Sequence, residues 1–281
     1  MTILEVLGRS SVYLGRAGIS SPRFEAEVLL ASALGVTRLD LYLQFERPLD
    51  QAELGRMRDL IQKRGHGTPT AYLVGVREFF GLEFRVGAGA LVPRPETELL
   101  VELGLAVVDR GARRCADLGS GTGCIGVALA VARPFLEVDS VDLSEQAAEY
   151  TLENSRRHQV HDRLRVRRGS WAEPLRDTGK FPLILSNPPY VTSAEYQALE
   201  PGVRDFEPRA ALDGGLDGLD SYRALLASLP PVVHPGTTLL LEGDPRRIDE
   251  VTILCQQAWP DGLATVHQDL SGRARVLEFQ L

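Results

Sequence analysis

The sequence predicts an α/β fold, in which a largely parallel sheet with helices on its faces follows a small helical region. Three observations support this prediction. From residue 113 onward, short apolar strands alternate with helical patterns, as in successive βαβ units. Residues 2–65 show only the helical spacing of apolar residues. Two apolar segments at the end of the chain have no helix between them, so they could pair as a hairpin.

The helical region contains recognisable starts and stops. Ser21-Pro22 predicts the N-cap and the first residue of a helix, and the apolar spacing that follows ends at Gly35. A later helix is predicted from Asp50, as its cap, to Arg64. No residue pattern in this region indicates catalytic chemistry.

The helical pattern breaks at residues 66–69, and residues 76–87 then alternate around a turn at Gly81, which predicts a β-hairpin. We therefore expect a helical domain at 1–68, a linker with a hairpin at 69–94 and an α/β domain at 95–281. The α/β domain is predicted to contain helices at 98–109, 122–132, 145–158, 218–228 and 246–258, and strands at 113–118, 136–142, 163–168, 181–186, 237–242, 262–268 and 274–280.

Composition narrows the class of function. The formal net charge is −7, whereas proteins that bind a phosphate backbone usually carry a basic field. The arginines at 163, 165, 167 and 168 are interpreted as the exposed face of a strand. Three cysteines without a C-x-x-C pair predict neither a disulfide framework nor a zinc site, and no metal is expected. No signal peptide or long apolar run is recognised, so we expect a cytoplasmic protein without a membrane span.

The first motif is a glycine-rich turn at residues 117–123, Asp-Leu-Gly-Ser-Gly-Thr-Gly, between an apolar strand and a helix. Glycines permit a tight turn and the close approach of backbone to a ligand. The spacing differs from the G-x-G-x-x-G pattern of dinucleotide-binding folds, and a plain strand-to-helix turn would also account for it. The candidate ligand contacts are Gly119, Ser120, Gly121, Thr122 and Gly123.

Two more candidates stand at the ends of the next two strands. Asp142 lies where a carboxylate can accept hydrogen bonds from ribose hydroxyls. It could also serve as an acid at a helix N-terminus that Ser144 caps. Trp171 lies where an indole ring can stack on adenine. A core tryptophan is an equal alternative for Trp171.

The second motif, Asn187-Pro188-Pro189-Tyr190, follows the apolar strand at 181–186. Proline has no backbone N–H, so the chain must leave the sheet here, while the carbonyl oxygens remain acceptors. Asn187 adds a side-chain acceptor and Tyr190 adds a flat face, and together they suit a planar group that bears an NH2. A simple turn is the alternative. The motif is predicted at the same sheet edge as the glycine-rich turn, where open α/β sheets bind ligands.

The two motifs resemble those of class I S-adenosylmethionine (SAM)-dependent methyltransferases. Over nearly its whole length the chain resembles the PrmC/HemK family, the release-factor glutamine methyltransferases. The segments that also carry this resemblance are Pro-Thr-Ala-Tyr-Leu-Val-Gly at 69–75, Leu-Val-Pro-Arg-Pro-Glu-Thr-Glu at 91–98, Phe-Glu-Pro at 206–208 with Gly-Gly-Leu-Asp-Gly-Leu at 214–219, and Asp-Leu-Ser-Gly at 269–272 with Arg-Val at 275–276.

The resemblance implies a Rossmann-like domain in which a seven-strand, mostly parallel sheet ends in an antiparallel hairpin, behind an N-terminal helical domain that recognises substrate. SAM would contact the segment Gly119–Gly123, Asp142, Trp171 and Asn187, and S-adenosylhomocysteine would be the product. The substrate would be the glutamine of the Gly-Gly-Gln motif in class 1 release factors. We expect a monomer that does not bind nucleic acid directly.

The resemblance assigns the substrate glutamine to Asn187, Pro188, Pro189 and Tyr190, of which Asn187, Pro188 and Tyr190 are the expected catalytic residues. Asn187 Oδ1 and the Pro188 carbonyl would accept the two amide hydrogens, and Tyr190 would pack on the amide plane. Two departures from many relatives are Ser170, where an acid is frequent, and Glu242-Gly243-Asp244, where Glu-Ile-Gly is frequent.

Three other functions compete with this expectation. A glutamine methyltransferase for a ribosomal protein would share the same motifs. A DNA adenine methyltransferase shares Asn-Pro-Pro-Tyr, but it would need a basic target-recognition region that the acidic sequence does not show. The intact Asn187 and Pro188 argue against a SAM-binding protein without activity, which tight SAM binding without turnover on any substrate would support.

Overall fold

The structure, a computed structural model, describes residues 1–281 and forms two compact units. One unit consists of Met1–Val76 with Glu200–Phe206, and the other consists of Arg77–Leu199 with Glu207–Leu281. The predicted division at residues 68 and 94 stays a prediction. The helices are α1 Ile3–Arg16, α2 Pro22–Leu34, α3 Arg38–Leu43, α4 Gln51–Gly65, α5 Thr70–Val74, α6 Glu98–Asp109, α7 Cys124–Ala132, α8 Glu145–Arg157, α9 Ser193–Gln197, α10 Pro201–Arg204, α11 Asp220–Ser228 and α12 Ile248–Ala258.

The strands complete the list of regular elements, together with 3-10 turns at Pro95–Thr97, Glu173–Leu175 and Arg209–Ala211. The predicted elements of the α/β domain all recur, with boundaries that shift by about two residues at most. The strands are β1 Val76–Phe79, β2 Leu82–Arg85, β3 Arg114–Leu118, β4 Glu137–Asp142, β5 Leu164–Arg168, β6 Leu183–Ser186, β7 Thr238–Glu242, β8 Leu263–Gln268 and β9 Ala274–Gln280.

The first unit is an assembly of short helices around an apolar core. Helix α2 begins at Pro22 and stops at Gly35, which has the left-handed backbone expected of a helix C-terminus. Ser21 stands at the N-cap position, but its hydroxyl makes no capping hydrogen bond. Asp50 caps α4 as predicted, because its carboxylate accepts the Glu53 N–H at 2.8 Å. The buried core includes Leu7, Leu14, Leu29, Leu30, Leu41 and Met57.

The late segment of this unit packs closely on its early part. A Cβ atom on Gly202 would lie 2.9 Å from the carbonyl oxygen of Gly67, which is closer than real Cβ atoms come. A Cβ atom on Gly67 would lie 3.3 Å from the Phe206 ring. The two backbone segments therefore approach to a distance that only glycine permits.

The second unit contains a seven-strand sheet with the order β5-β4-β3-β6-β7-β9-β8. The five strands from β5 to β7 are parallel, and β9 runs antiparallel to both β7 and β8. Its central strands are buried along their whole length, as expected when helices cover both faces. The predicted fold, including the C-terminal hairpin, is confirmed.

The sheet brings the two sequence motifs together. Strands β3 and β6 are neighbours in parallel register, so the turn after β3 and the turn after β6 leave the same edge side by side. The buried Ser186 hydroxyl donates to the Leu118 carbonyl at 2.6 Å, which ties the two strand ends. Chain order reverses at this point of the sheet, where ligands bind in open α/β folds.

The β1–β2 hairpin is anchored to helices of the second unit. Asn154 of α8 accepts the Arg85 N–H at 2.7 Å and donates to the Arg85 carbonyl and to the Thr122 carbonyl. Glu98 of α6 accepts the Phe80 N–H. Asn154 thus joins the hairpin to the glycine-rich turn. None of the helices combines the length and the apolar composition needed to cross a bilayer.

Candidate active site

A cavity of about 410 Å³ opens at the carboxyl edge of the sheet, in the size range of small-molecule sites. Six predicted site residues line it, namely Gly119, Gly121, Asp142, Trp171, Asn187 and Pro189. The remaining lining comes from residues that the sequence did not single out as site residues. These are Gly89, Ala90, Leu91, Val141, Leu143, Ser144, Ala147, Gly169, Ser170, Pro208, Ala210, Ala211 and Ser221.

The glycine-rich turn adopts a backbone that glycine alone accepts readily. Gly119, Gly121 and Gly123 have φ angles of 75°, 57° and 77°, in the left-handed region. The N–H groups of Gly119 and Ser120 donate to the Val141 carbonyl at 2.8 and 3.0 Å. These bonds place the turn against the end of β4 and leave its inner surface facing the cavity.

Three of the predicted contacts lie behind the turn and do not line the cavity. Ser120 and Thr122 are buried, and the Ser120 hydroxyl shares a hydrogen bond of 3.2 Å with Thr151 of α8. Gly123 packs so tightly on Thr151 that a Cβ atom there would lie 2.8 Å from the threonine methyl group. Their observed contacts support the shape of the turn, and their contact with a cofactor stays a prediction.

The surroundings of Asp142 are compatible with both interpretations of its position. Its Oδ2 accepts the Gly121 N–H and its Oδ1 accepts the Ser144 N–H, each at 2.8 Å. Ser144 is also the N-cap of α8, since its hydroxyl accepts the Ala147 N–H. Each carboxylate oxygen keeps a lone pair, and the residue lines the cavity. Burial raises the pKa of Asp142, and the backbone N–H groups oppose that increase.

Asp117, the acid before the turn, is fully buried beneath it. Its Oδ2 accepts the Gly126 N–H at 3.0 Å, and its Oδ1 has no hydrogen-bond partner. Burial raises its pKa to about 7, and the nearby charge of Asp142 adds to the increase. Burial and the charge of Asp142 therefore both disfavour the ionised form of Asp117.

The surroundings of Trp171 are also compatible with both of its interpretations. Its ring packs partly on the apolar core and partly lines the cavity, next to Ser170. A Cβ atom on Gly119 would lie 3.5 Å from Trp171 Cζ3, so the indole lies against the glycine-rich turn. The residue has a φ of 46°, an uncommon backbone for a bulky side chain.

Asn187 lies between two cavities. It lines the large one, and with Pro188, Pro189 and Tyr190 it also lines a narrow one of about 50 Å³. Pro188 and Tyr190 contact only the narrow cavity, whereas Asn187 and Pro189 line both. Burial raises the pKa of Tyr190 far above its ordinary value, so the phenol is neutral.

The side-chain amide of Asn187 has a defined partner. Its Nδ2 donates to the hydroxyl of Thr97 at 3.1 Å, which leaves Oδ1 as the free acceptor of the amide. Thr97 is 2% exposed and directly precedes α6. The segment at 91–98 was noted in the sequence for its resemblance, but nothing in its residue types indicated this contact.

One buried carboxylate holds two walls of the cavity together. Glu207 accepts the Val92 N–H at 3.1 Å and the guanidinium of Arg94 at 2.6 Å. Its own segment continues into Pro208 and Ala211, and Val92 follows Leu91 on the opposite wall. The ion pair thus links two segments that line the site, although neither charged residue faces the large cavity.

Glu242 and Asp244 belong to the segment that departs from many relatives, and they differ in their surroundings. Glu242 is 1% exposed, and burial raises its pKa to about 7. Asp244 pairs with Arg246 and Arg247, and Arg247 also pairs with Glu195 of α9. This ionic cluster attaches α9, which follows the Asn-Pro-Pro-Tyr motif, to the end of β7. No group of three or more His, Cys, Asp or Glu side chains is arranged to hold a metal ion.

The four arginines between 163 and 168 each make a hydrogen bond or an ion pair. Arg163 donates to the Ala130 carbonyl, and Arg165, Arg167 and Arg168 pair with Glu137, Asp139 and Glu145. These contacts tie β5 to the neighbouring elements.

Two family models match the chain. The PrmC N-terminal domain matches residues 5–75, and the methyltransferase small domain matches residues 96–201. A release factor glutamine methyltransferase of Geobacter sulfurreducens is 43% identical, over 86% of this chain and 84% of the relative. A release factor glutamine methyltransferase of Nitratidesulfovibrio vulgaris is 37% identical, over 98% of this chain and 94% of the relative.

Solved structures share the fold at low sequence identity. A ribosomal protein L11 methylase of Lactobacillus delbrueckii is 15% identical with a TM-score of 0.50, over 70% of this chain and 84% of the other. The hMettl16 catalytic domain, solved with an RNA hairpin, is 15% identical with a TM-score of 0.56, over 79% and 82% of the two chains. These likenesses concern the fold alone.

Proposed function

The chain belongs to the release factor glutamine methyltransferase family, and from that premise we propose that it methylates the side-chain amide nitrogen of the glutamine in the Gly-Gly-Gln motif of class 1 release factors. The chain is a SAM-dependent methyltransferase. The observation that supports the substrate is the position of Asn187, which lines both cavities and whose amide nitrogen is held by Thr97, so that Oδ1 is left to accept.

The large cavity fits SAM. Asp142 offers two acceptor positions to a ribose diol, Trp171 offers a flat face to adenine, and the left-handed glycines at 119 and 121 let a ligand approach the backbone. SAM supplies a methyl group on a positive sulfur, so it carries the reactive bond. We assign its binding to these four residues, with Asn187 at the methyl end.

The narrow cavity fits a planar amide. Asn187 Oδ1 and the Pro188 carbonyl accept the two amide hydrogens, and Tyr190 forms a wall of the same cavity. These acceptors orient the nitrogen, whose lone pair is otherwise shared with the amide carbonyl. The nitrogen gains positive charge as it is methylated, so the same hydrogen bonds strengthen in the transition state. No side chain is assigned as a general base, and the proton leaves to water.

The proposal also covers the kind of substrate, the oligomeric state and the location of the protein. The negative net charge and the narrow site favour a protein loop as the substrate over nucleic acid. The protein acts as a monomer in the cytoplasm, where its substrate is found.

The first test is transfer of labelled methyl from SAM to purified release factor. Label on the wild-type factor that disappears when the Gly-Gly-Gln glutamine is changed to alanine supports the function and the modified residue together. Absence of label on release factor would contradict the proposal, and ribosomal proteins and then DNA would be tested as alternative substrates.

A variant tests the assigned residue. Asn187→Ala removes the acceptor that orients the amide, so we expect turnover to fall about 100-fold or more, while SAM affinity stays within a few fold. Turnover and SAM binding are measured on the same preparation. Near-normal turnover in Asn187→Ala would refute the assigned role.

A further inference from the structure

We propose that Arg94 recognises the carbonyl oxygen of the substrate amide and thereby selects an amide over an amine in the narrow cavity. This role rests on the proposed function, which places a glutamine side chain in that cavity. Asn187 Oδ1 and the Pro188 carbonyl accept the two N–H groups of the amide, but an amine offers N–H groups as well. The carbonyl oxygen distinguishes the amide from the amine, and its recognition needs a hydrogen-bond donor.

The narrow cavity contains few groups that could donate to this oxygen. Among the residues that line it, only Arg94, Asn187 and Tyr190 have a polar side chain, and only Arg94 is charged. The amide nitrogen of Asn187 is held by the Thr97 hydroxyl. An arginine offers five N–H donors in a planar fork and no acceptor. Arg94 is therefore the side chain best suited to a carbonyl oxygen in this cavity.

The ion pair of Arg94 uses only part of its guanidinium. Its Nη2 donates to Glu207 Oε1 at 2.6 Å, while Glu207 Oε2 accepts the Val92 N–H instead of a second guanidinium N–H. Arg133 shows the alternative, because its Nε and Nη2 both donate to Asp109 at 2.7 Å. Nε and Nη1 of Arg94 make no hydrogen bond, and the side chain is 33% exposed. These N–H groups remain for a ligand.

The backbone and the ion pair hold Arg94 at the cavity wall before substrate binds. Arg94 stands between Pro93 and Pro95, and a following proline restricts a residue to an extended backbone. The observed φ of −98° and ψ of 141° agree with this restriction. Its carbonyl accepts the Thr97 N–H at 3.1 Å, and Glu207 fixes the far end of the side chain. Prior ordering of this kind reduces the entropy that is lost on binding.

The buried carboxylate of Glu207 suits an arginine at this place. SAM brings a positive sulfur, and the substrate nitrogen gains positive charge during transfer, so an unpaired guanidinium beside them would raise the energy of the transition state. Glu207 is buried and lies 2.6 Å from Arg94 Nη2, so the pair carries no net charge. The guanidinium keeps its N–H donors while its charge is balanced.

This hydrogen bond should strengthen substrate binding more than it accelerates the reaction. As the nitrogen lone pair moves to the methyl group, the carbonyl oxygen loses the negative charge that amide resonance gives it. The bond from Arg94 therefore weakens in the transition state, and its removal raises KM and not the barrier after binding. A residue that only holds the cavity walls in place would instead change kcat or the affinity for SAM.

Arg94→Met removes the donors and keeps much of the length of the side chain. We expect the KM for release factor to rise about tenfold or more, with kcat and the Kd for SAM within about threefold of wild type. Arg133→Met is the matched control, because Arg133 is 29% exposed, pairs with an aspartate and lines neither cavity. Its KM should equal that of wild type. A folded Arg94→Met with the wild-type KM, or with a loss in kcat alone, would overturn the proposal.

A second variant serves if Arg94→Met does not fold. The single substitution leaves the buried Glu207 carboxylate without its cation, which is strongly destabilising. Arg94→Met is then combined with Glu207→Gln, whose amide oxygen can still accept the Val92 N–H. The reference is Glu207→Gln alone, and we expect the same rise in KM between the two. Equal KM values would overturn the proposal.

A double-mutant cycle identifies the substrate group that Arg94 contacts. A release factor with Gln→Met in its Gly-Gly-Gln motif keeps the approximate shape of the side chain and loses the carbonyl and the NH2. The Kd of each factor is measured on wild type and on Arg94→Met with S-adenosylhomocysteine bound, so that no methyl is transferred. We expect the affinity lost through Gln→Met to be about tenfold smaller on Arg94→Met, which no longer recognises the carbonyl. Equal losses on the two enzymes would exclude a contact of Arg94 with the glutamine side chain.

Failure of the Arg94 role and failure of the proposed function give different results. Equal losses in the cycle, on an enzyme that methylates release factor, refute the role of Arg94 alone. A wild-type enzyme that transfers no methyl to release factor refutes the proposed function, and the selection of its amide by Arg94 is refuted with it.

Discussion

Asp142→Asn is the substitution that most directly tests the cofactor site. The wild-type carboxylate accepts the N–H groups of Gly121 and Ser144 at 2.8 Å and keeps one lone pair on each oxygen for a ligand. In the variant, one oxygen becomes an NH2 group that faces a backbone N–H and offers no acceptor to a ribose hydroxyl. Loss of one hydrogen bond to a charged acceptor corresponds to about 1.5–3 kcal/mol.

That loss predicts a Kd for SAM about 10 to 150 times higher. Isothermal titration calorimetry with SAM and with S-adenosylhomocysteine measures it. Both ligands carry the ribose, so both should lose affinity by the same factor. The control is Glu145→Gln, because Glu145 is an exposed neighbour that pairs with Arg168 and does not line the cavity. Binding of both ligands within twofold of wild type, or a loss confined to SAM, would refute the ribose contact.

Two further predictions concern stability without ligand. Gly123→Ala should destabilise the protein by about 2–4 kcal/mol, because left-handed strain adds to a Cβ contact of 2.8 Å with Thr151. Gly272→Ala, with a similar φ and no atom near its Cβ, should cost about 1 kcal/mol in urea unfolding, and equal losses would contradict the packing argument. Asp117 has a folded-state pKa of about 7, above its ordinary value of 3.8, so its contribution to stability declines as pH rises from about 4 to 7 and is then constant. Asp117→Asn should reduce the fall in unfolding free energy between pH 5 and 7. It should not abolish that fall, because the raised pKa of Glu242 contributes with the same sign. If the free energy of unfolding of the variant depends on pH as in the wild type, Asp117 does not titrate in this range.

The fold could be predicted from sequence largely because each strand and helix of the second unit has its own local pattern. Strands such as β6 and β7 are short apolar runs between turn residues, and their periodicity does not depend on distant contacts. Within the helical region the bounds of α3 were not predicted, and α5, α9 and α10 were not predicted at all. Helices of four to six residues have little periodicity, and they are stabilised by caps and by packing.

The site could be predicted only where one residue type limits the chemistry. Asp142 and Asn187 became candidates because an acid and an amide stood at strand ends, and both line the cavity. The contact of Thr97 with Asn187 joins residues 90 positions apart, and nothing in the type of either residue encodes it. For Trp171 the sequence offered a core and a ligand interpretation, and the side chain is large enough to contact both surroundings.

The two-segment composition of the first unit has a consequence for synthesis on the ribosome. Its helices α1 to α5 emerge early, but Gly202 and Phe206, which pack on Gly67, are translated only after most of the second unit. At a synthesis rate of roughly 5–20 residues per second, residues 200–206 follow Val76 after a delay on the order of 10 s. A fragment that stops at Val76 would therefore be an incomplete folding unit, and a nascent-chain arrest series should show its full protease resistance only after residue 206 has left the exit tunnel.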